Sequence, residues 1–190
     1  LVDGFIFLGQ GQRHDDFQAL ARLNVPFVVW GTKLEGARYC TVGSDNAKGG
    51  VLAAEHLLSH GGKSFLFIGN RSHAEIRERW NGFQSTVSNR DPFAHTTALD
   101  VENFSFEGSR QGFTRYLDKA PMPDSIFCFS DTAAMAVISI LREKNIRVPE
   151  DCRVVGYNDI PTSGHFFPSL TTIRQDPISA GTILVEKLMQ

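Results

Sequence analysis

Asn158 and Asp159 follow an apolar run, Val154-Val155-Gly156-Tyr157, and that placement gives their side chains a chemistry. Polar groups at the carboxyl end of a buried strand stand where open α/β sheets bind their ligands. A short loop with one proline, from Arg147 to Asp151, feeds the strand. Downstream, the segment from Pro168 to Pro177 carries Thr171, Thr172 and Gln175 towards whatever lies across the same edge. Two walls of hydrogen-bonding groups facing each other describe a ligand cleft.

Other reactive residue types form weaker patterns. His56 and His60 have the i, i+4 spacing of a zinc pair on a helix, but no third ligand and no HExxH accompany them, which favours a solvated helix end. Gly9-Gln10-Gly11 lacks the third glycine and the acidic partner of a dinucleotide fingerprint, and neither a Walker motif nor GxSxG occurs. Catalysis, a bound metal and a cofactor are therefore not expected. Cys40, Cys128 and Cys152 are odd in number, widely spaced and without a CxxC, as expected of buried thiols in a reduced compartment rather than a disulfide framework.

The elements that must position these residues alternate between two periodicities. Five apolar runs, at residues 5–9, 27–30, 65–69, 126–129 and 154–157, show no polar alternation, which suits parallel strands covered on both faces. Between them lie helical stripes. Ala134, Val137, Ile138 and Leu141 recur at i, i+3, i+4, i+7 behind a Ser130-Asp131 cap and before Asn145 and Pro149. Ile76, Trp80, Phe83 and Val87 form a second stripe, and Phe113, Tyr116 and Leu117 a third. A helix from Asp45 to His60 carries Gly49-Gly50 in its early turns. Interior helix glycine costs about 0.5–1 kcal/mol relative to Ala, so the pair predicts close approach to a neighbour. The alternation predicts a doubly wound α/β fold.

Composition bounds the function. The 190 residues, 42% of them hydrophobic, suffice for one good core or two small ones. A formal net charge of −2 draws neither nucleic acid nor anionic lipid. No apolar run approaches the ~20 residues that span a bilayer. No basic n-region precedes the opening Leu1-Val2-Asp3-Gly4, so no signal peptide is expected, and starting on a strand without Met suggests a trimmed chain. No linker or repeat divides the sequence. Two segments, 39–46 and 168–175, look like crossings between lobes that share a cleft, a favoured ligand site.

Taken in order, VDGFIFLG, PFVVWG, VGSDNAKGG, FLFIGN, ERWNGF, FSFEG, FSDTAAM, RVPEDCRVVGYND and PSLTTIRQDP resemble the lactose- and galactose-repressor family of bacterial transcription regulators over essentially the whole chain. The resemblance implies a two-lobed fold like that of periplasmic sugar receptors, each lobe a doubly wound parallel sheet flanked by helices. Residues 1–43 and 172–190 would form a partial N-terminal lobe and residues 44–171 the C-terminal lobe. The family's helix-turn-helix domain, hinge helix and first strand–helix units have no counterpart in this sequence, nor does the strand that family members add after the helix at 177–190.

The family's pocket positions carry over one at a time. Arg79 stands where the family clamps its effector, with a fork able to bond vicinal hydroxyls or a carboxylate; an exposed helix arginine paired with Glu75 or Glu78 is the competing reading. Asp45 is either a pocket acceptor or only a helix cap. Phe104 aligns with a ligand-stacking aromatic or else belongs to the core. Asn158 departs from the aspartate common in GYDD or GYDN: it keeps an acceptor, adds two donors and removes the charge. Asp159 is expected to be structural. Gln175 matches a position facing the cleft from the other lobe, and His73 and Glu75 lie where the family varies with its effector. Trp30 ends a strand at the cleft edge, although a buried tryptophan is more often packing. Gln10 and Ser130 end strands on the same edge.

These positions imply the effector-binding and dimerising domain of a repressor. A small molecule, with a sugar expected first and a purine left open, would bind between the lobes. The protein would be a cytoplasmic homodimer that meets operator DNA only through the absent domain, and no membrane. The rival is a periplasmic sugar-binding receptor, which shares the fold.

Overall fold

The computed structural model describes residues 2–190. Two parallel sheets are formed. The smaller contains β1 (Phe5–Leu8), β2 (Phe27–Trp30) and β3 (Cys40–Val42) in the order β1-β2-β3, with α1 (His14–Arg22) between its first two strands. The larger contains β4 (Ser64–Gly69), β5 (His95–Asp100), β6 (Ser125–Cys128), β7 (Arg153–Asn158) and β8 (Thr171–Arg174) in the order β5-β4-β6-β7-β8. Its crossovers run through α3 (Ala74–Arg90), α4 (Phe106–Leu117) and α5 (Asp131–Glu143), while α2 (Asn46–Ser59) enters this lobe and α6 (Pro177–Leu188) returns to pack on the smaller sheet.

Each apolar run lies in or overlaps a strand, and each stripe a helix. β4, β6 and β7 are the internal strands of the larger sheet, and their residues from Leu66 to Ile68, Ile126 to Cys128 and Val154 to Tyr157 are buried. Phe65, Phe67, Phe83, Phe113, Phe127 and Tyr157 are shielded almost completely. At roughly 1.5–3 kcal/mol for each large apolar side chain, this cluster holds the lobe together. β3, β5 and β8, all edge strands, were not among the expected runs: CTV, HTTALD and TTIR carry the polar residues that half-covered edges permit. α1 also lacked a signal, since Phe17 is its single buried residue.

The lobe boundary needs one correction. A division between 171 and 172 cuts through β8, which pairs with β7 as far as Arg174, so the return to the smaller lobe begins at Gln175. The cysteines need another. Cys128 and Cys152 are buried, but Cys40 is exposed because β3 lies at a sheet edge.

The glycine pair does what its cost predicts. A Cβ on Gly50 would overlap the carbonyl oxygen of Arg79, and one on Gly82 would overlap that of Ala47. α2 and α3 therefore touch backbone to backbone, and this contact sets where Arg79 begins.

Candidate ligand cleft

In a sheet ordered 2-1-3-4-5, the strand order reverses between the first and third strands, here β4 and β6. Crossovers leave in opposite directions at that point, opening a crevice beyond the carboxyl ends. The residues after β4 (Asn70 to His73) and after β6 (Phe129 to Asp131) form its mouth.

Arg79 reaches this mouth from the second turn of α3 and is only 8% exposed. Its Nε donates to Asn46 Oδ1 at 2.8 Å and its Nη1 to the Phe129 carbonyl at 2.7 Å. The guanidinium carbon lies 3.6 Å from the centroid of the Tyr157 ring, over its face. Nη2 holds no hydrogen bond among the described residues. Burial pushes the Arg79 pKa down, while Tyr157, Glu75 and Glu78 push it back, and a guanidinium remains charged throughout. The competing expectation of an exposed arginine is excluded by this geometry. A buried, pre-oriented cation with one donor edge uncommitted can donate hydrogen bonds to an oxygen placed in the mouth.

The two carboxylates near Arg79 behave differently. Glu75 is half-buried in the first turn of α3, and burial raises its pKa more than Arg79 lowers it. Glu78 accepts from the Thr32 hydroxyl, which links the two lobes. Gln12 Nε2 donates to Ser72 Oγ at 2.7 Å, a second link across the cleft.

One side of the mouth is aromatic. The Phe104 ring, 37% exposed, packs 4.9 Å from Phe129 and 4.9 Å from His73, the latter edge to face. Burial lowers the His73 pKa, which favours the neutral ring. A ring exposed on a built aromatic base offers a stacking face to a sugar's C–H surface or to a planar base.

Asn158 closes the opposite side at φ 112°, followed by Asp159 at φ 57°. Asn and Asp tolerate positive φ better than other non-glycine residues, so this turn suits its sequence. The Asn158 side chain makes no hydrogen bond among the described residues. Asp159 donates its N–H to Thr172 Oγ1 at 3.3 Å and lies 3.8 Å from Arg174, in keeping with a structural role. The turn hangs on Asp131, which is fully buried. Asp131 Oδ2 accepts from the Ile160 N–H at 2.8 Å and the Ser163 hydroxyl at 2.9 Å, and Oδ1 accepts from the Thr172 hydroxyl. Gly156 leaves room for that carboxylate, since a Cβ there would overlap Oδ1.

Of the other expected residues, Gln175 crosses the cleft base and donates to Ser44 Oγ at 3.0 Å. Asp45 is exposed and caps α2, accepting from the Lys48 N–H at 2.9 Å, whereas its neighbour Asn46 reaches Arg79. Ser130 caps α5 through the Ala133 N–H at 3.2 Å. Trp30 is half-buried at the end of β2. Gln10 is 1% exposed, and its amide is committed to Tyr39 Oη and the Thr32 N–H inside the smaller lobe, so it does not face a ligand. Asn46, Tyr157, Asp131, Thr32 and Glu78 were not singled out as site residues. Glu78 entered only as a partner for Arg79 in the competing reading, and the others were hinted at only by their place near strand ends or helix starts.

Two alternatives lie away from this mouth. The His56 and His60 rings sit 4.3 Å apart at the end of α2, and among the described residues no group of three metal-ligating side chains forms. A groove of about 410 Å³ lined by His56, His60, Ile138, Val148, Pro149 and Pro168 opens at the amino ends of β7 and β8, opposite the ligand edge of the sheet.

Residues 54–190 match the periplasmic binding protein-like domain family. The chain is 30% identical over 194 residues to the HTH-type transcriptional repressor PurR of Actinobacillus pleuropneumoniae serotype 3, covering 98% of this chain and 57% of that protein. It is 28% identical over 193 residues to the ribose operon repressor of Haemophilus influenzae, covering 100% of this chain and 57% of that protein. The crystal structure of a LacI family transcriptional regulator from Enterococcus faecium with bound ribose superposes with a TM-score of 0.84 at 29% identity, over 99% of this chain and 70% of that one. The chain thus spans a little over half the length of the curated relatives it matches.

Proposed function

The chain belongs to the periplasmic binding protein-like domain family, in the form found in effector domains of LacI-family regulators, and from that premise we propose that it is the effector-sensing part of a bacterial transcriptional repressor. A small hydroxylated molecule, a sugar first, would bind between the lobes. One observation carries this reading: a buried arginine stands at the switch point with two N–H groups fixed by protein acceptors and Nη2 free for a ligand. Phe104 would stack on the molecule, and Asn158, Gln175, His73 and Glu75 would complete its hydrogen bonds.

Binding would favour one arrangement of the lobes over the other and so change how attached DNA-reading domains are spaced. A ligand shifts such an equilibrium only by its difference in affinity for the two states. Operators read as paired half-sites would call for a homodimer, and operator contact would come through a DNA-binding domain outside this sequence. The setting would be the cytoplasm. Among the described residues no helix is long and apolar enough to cross a membrane. A sugar receptor of a transport system would use the same fold; the named repressors among the relatives favour the regulator.

A thermal-shift screen of sugars and nucleobases on the full-length protein tests the reading. A specific ligand at about 100 times its dissociation constant stabilises by about 2.7 kcal/mol. No stabilisation by any compound would count against it.

A further inference from the structure

The charges around Arg79 carry information about the ligand. Among the described residues the Arg79 guanidinium is the one buried cation, bonded to Asn46 and Phe129 and stacked on Tyr157. Two carboxylates act on it, Glu75 in the first turn of α3 and Glu78 one residue before it. Asp45, at the start of α2, acts on Tyr157, the ring beneath the guanidinium. Two other basic side chains near this edge are paired with carboxylates. Arg71 is paired with Asp100 at 2.7 Å, and Arg174, 83% exposed, leans on Asp159. Burial lowers the His73 pKa and so favours its neutral ring.

The N-terminus of α3 opens on the same edge, and no side chain caps it. Its positive end would ordinarily favour an anion. Glu75, in that first turn, already occupies the favourable field. An incoming phosphate or carboxylate would therefore meet two negative charges beside a single buried cation, and that cation is already compensated.

We infer that the cleft selects an uncharged, hydroxyl-rich effector and rejects the phosphorylated form of the same molecule, an inference that rests on reading the cleft as the effector site. Nη2 of Arg79 then serves as a donor to a hydroxyl or carbonyl oxygen. Glu75, which holds no hydrogen bond among the described residues, accepts from a neighbouring hydroxyl. The pair spans a donor and an acceptor, as a vicinal diol does. Glu75 and Glu78 are specificity-determining residues in this scheme, the first by contact and the second through its charge.

The test is isothermal titration of the full-length protein with matched pairs: D-ribose and D-ribose 5-phosphate, D-galactose and D-galactose 6-phosphate, inosine and inosine 5′-monophosphate. The neutral member of at least one pair binds, and its phosphate ester binds at least about thirtyfold more weakly. A phosphate can also be excluded by size, so the same titrations are run on Glu75→Gln/Glu78→Gln. Glutamine preserves shape and, at residue 78, an acceptor for Thr32. In this variant the gap narrows about tenfold or more through tighter binding of the ester. A circular dichroism spectrum and a cooperative melting transition like those of the wild type report an intact fold. Equal or tighter binding of the ester by the wild-type protein overturns the inference and leaves the effector reading standing. A gap that stays unchanged in the double variant overturns it too, since the exclusion is then not electrostatic. If none of the six compounds binds, the effector reading fails and this inference fails with it.

Discussion

The hydroxyl of Thr32 lies 2.7 Å from each carboxylate oxygen of Glu78. Thr32 follows β2 of the smaller sheet and Glu78 sits on α3 of the larger, so one hydroxyl joins the lobes beside Arg79. Thr32→Val keeps the shape and removes the donor, leaving a half-buried carboxylate without its partner. A loss of about 1–2 kcal/mol in urea unfolding is expected. The variant should also scatter X-rays as a more open particle; an unchanged radius of gyration together with unchanged stability would show that the bond holds nothing.

Arg79→Lys separates charge from geometry. Lysine keeps the cation but cannot bond Asn46 and the Phe129 carbonyl in a fixed fork while stacking on Tyr157. Effector affinity should fall at least about tenfold. Calorimetry with the ligand found by the thermal screen measures it, and wild-type affinity in this variant would remove Arg79 from the site.

Much of this arrangement was legible in the sequence. The apolar runs marked β4, β6 and β7 because internal strands tolerate no polar alternation. Gly49-Gly50 signalled a close approach before the partner was known. What stayed hidden depended on pairing across the fold. Glu78 was read as a neighbour for Arg79, yet it bonds Thr32, 46 positions away. Asp45 drew attention as the charged member of Asp45-Asn46, but the first residue inside the helix turns inward and the cap turns outward. Asp131 was read only as part of a helix cap, although three donors from the following loop and strand converge on it.

Asp131→Asn should be strongly destabilising. The amide is nearly isosteric but loses the charge and points two hydrogens where three donors already converge. A cost of roughly 2–4 kcal/mol in chemical denaturation is expected. The turn at Asn158 should loosen with it, seen as faster amide exchange from Asn158 to Ser163.

Glu75 gives a pH dependence of definite sign. Burial raises its pKa in the folded state above the ordinary value of 4.5, so the native protein binds its proton before the unfolded chain does. Its contribution to stability is then fully favourable below the unfolded value and declines as pH rises through the folded one. Glu75→Gln should melt higher than wild type at pH 7, with the difference shrinking towards pH 4. Melting curves across that range check the sign.

The three thiols should divide two to one. Burial raises the Cys128 pKa well above the ordinary thiol range and pushes Cys152 up to about 12, while Cys40 is exposed. Ellman's reagent at pH 8 should react rapidly with one thiol per native chain and with three after unfolding. Two fast thiols in the native protein would contradict the burial.

β1 poses a handling problem for this chain. Its four residues are all apolar, yet Phe5, Ile6 and Leu8 are 44%, 39% and 81% exposed, and only one of its edges is paired. An open row of backbone donors and acceptors flanked by greasy side chains is a template for any other strand, including the same strand of another molecule. The 190-residue chain should therefore self-associate as its concentration rises, and a charge placed at Leu8 should restore its solubility.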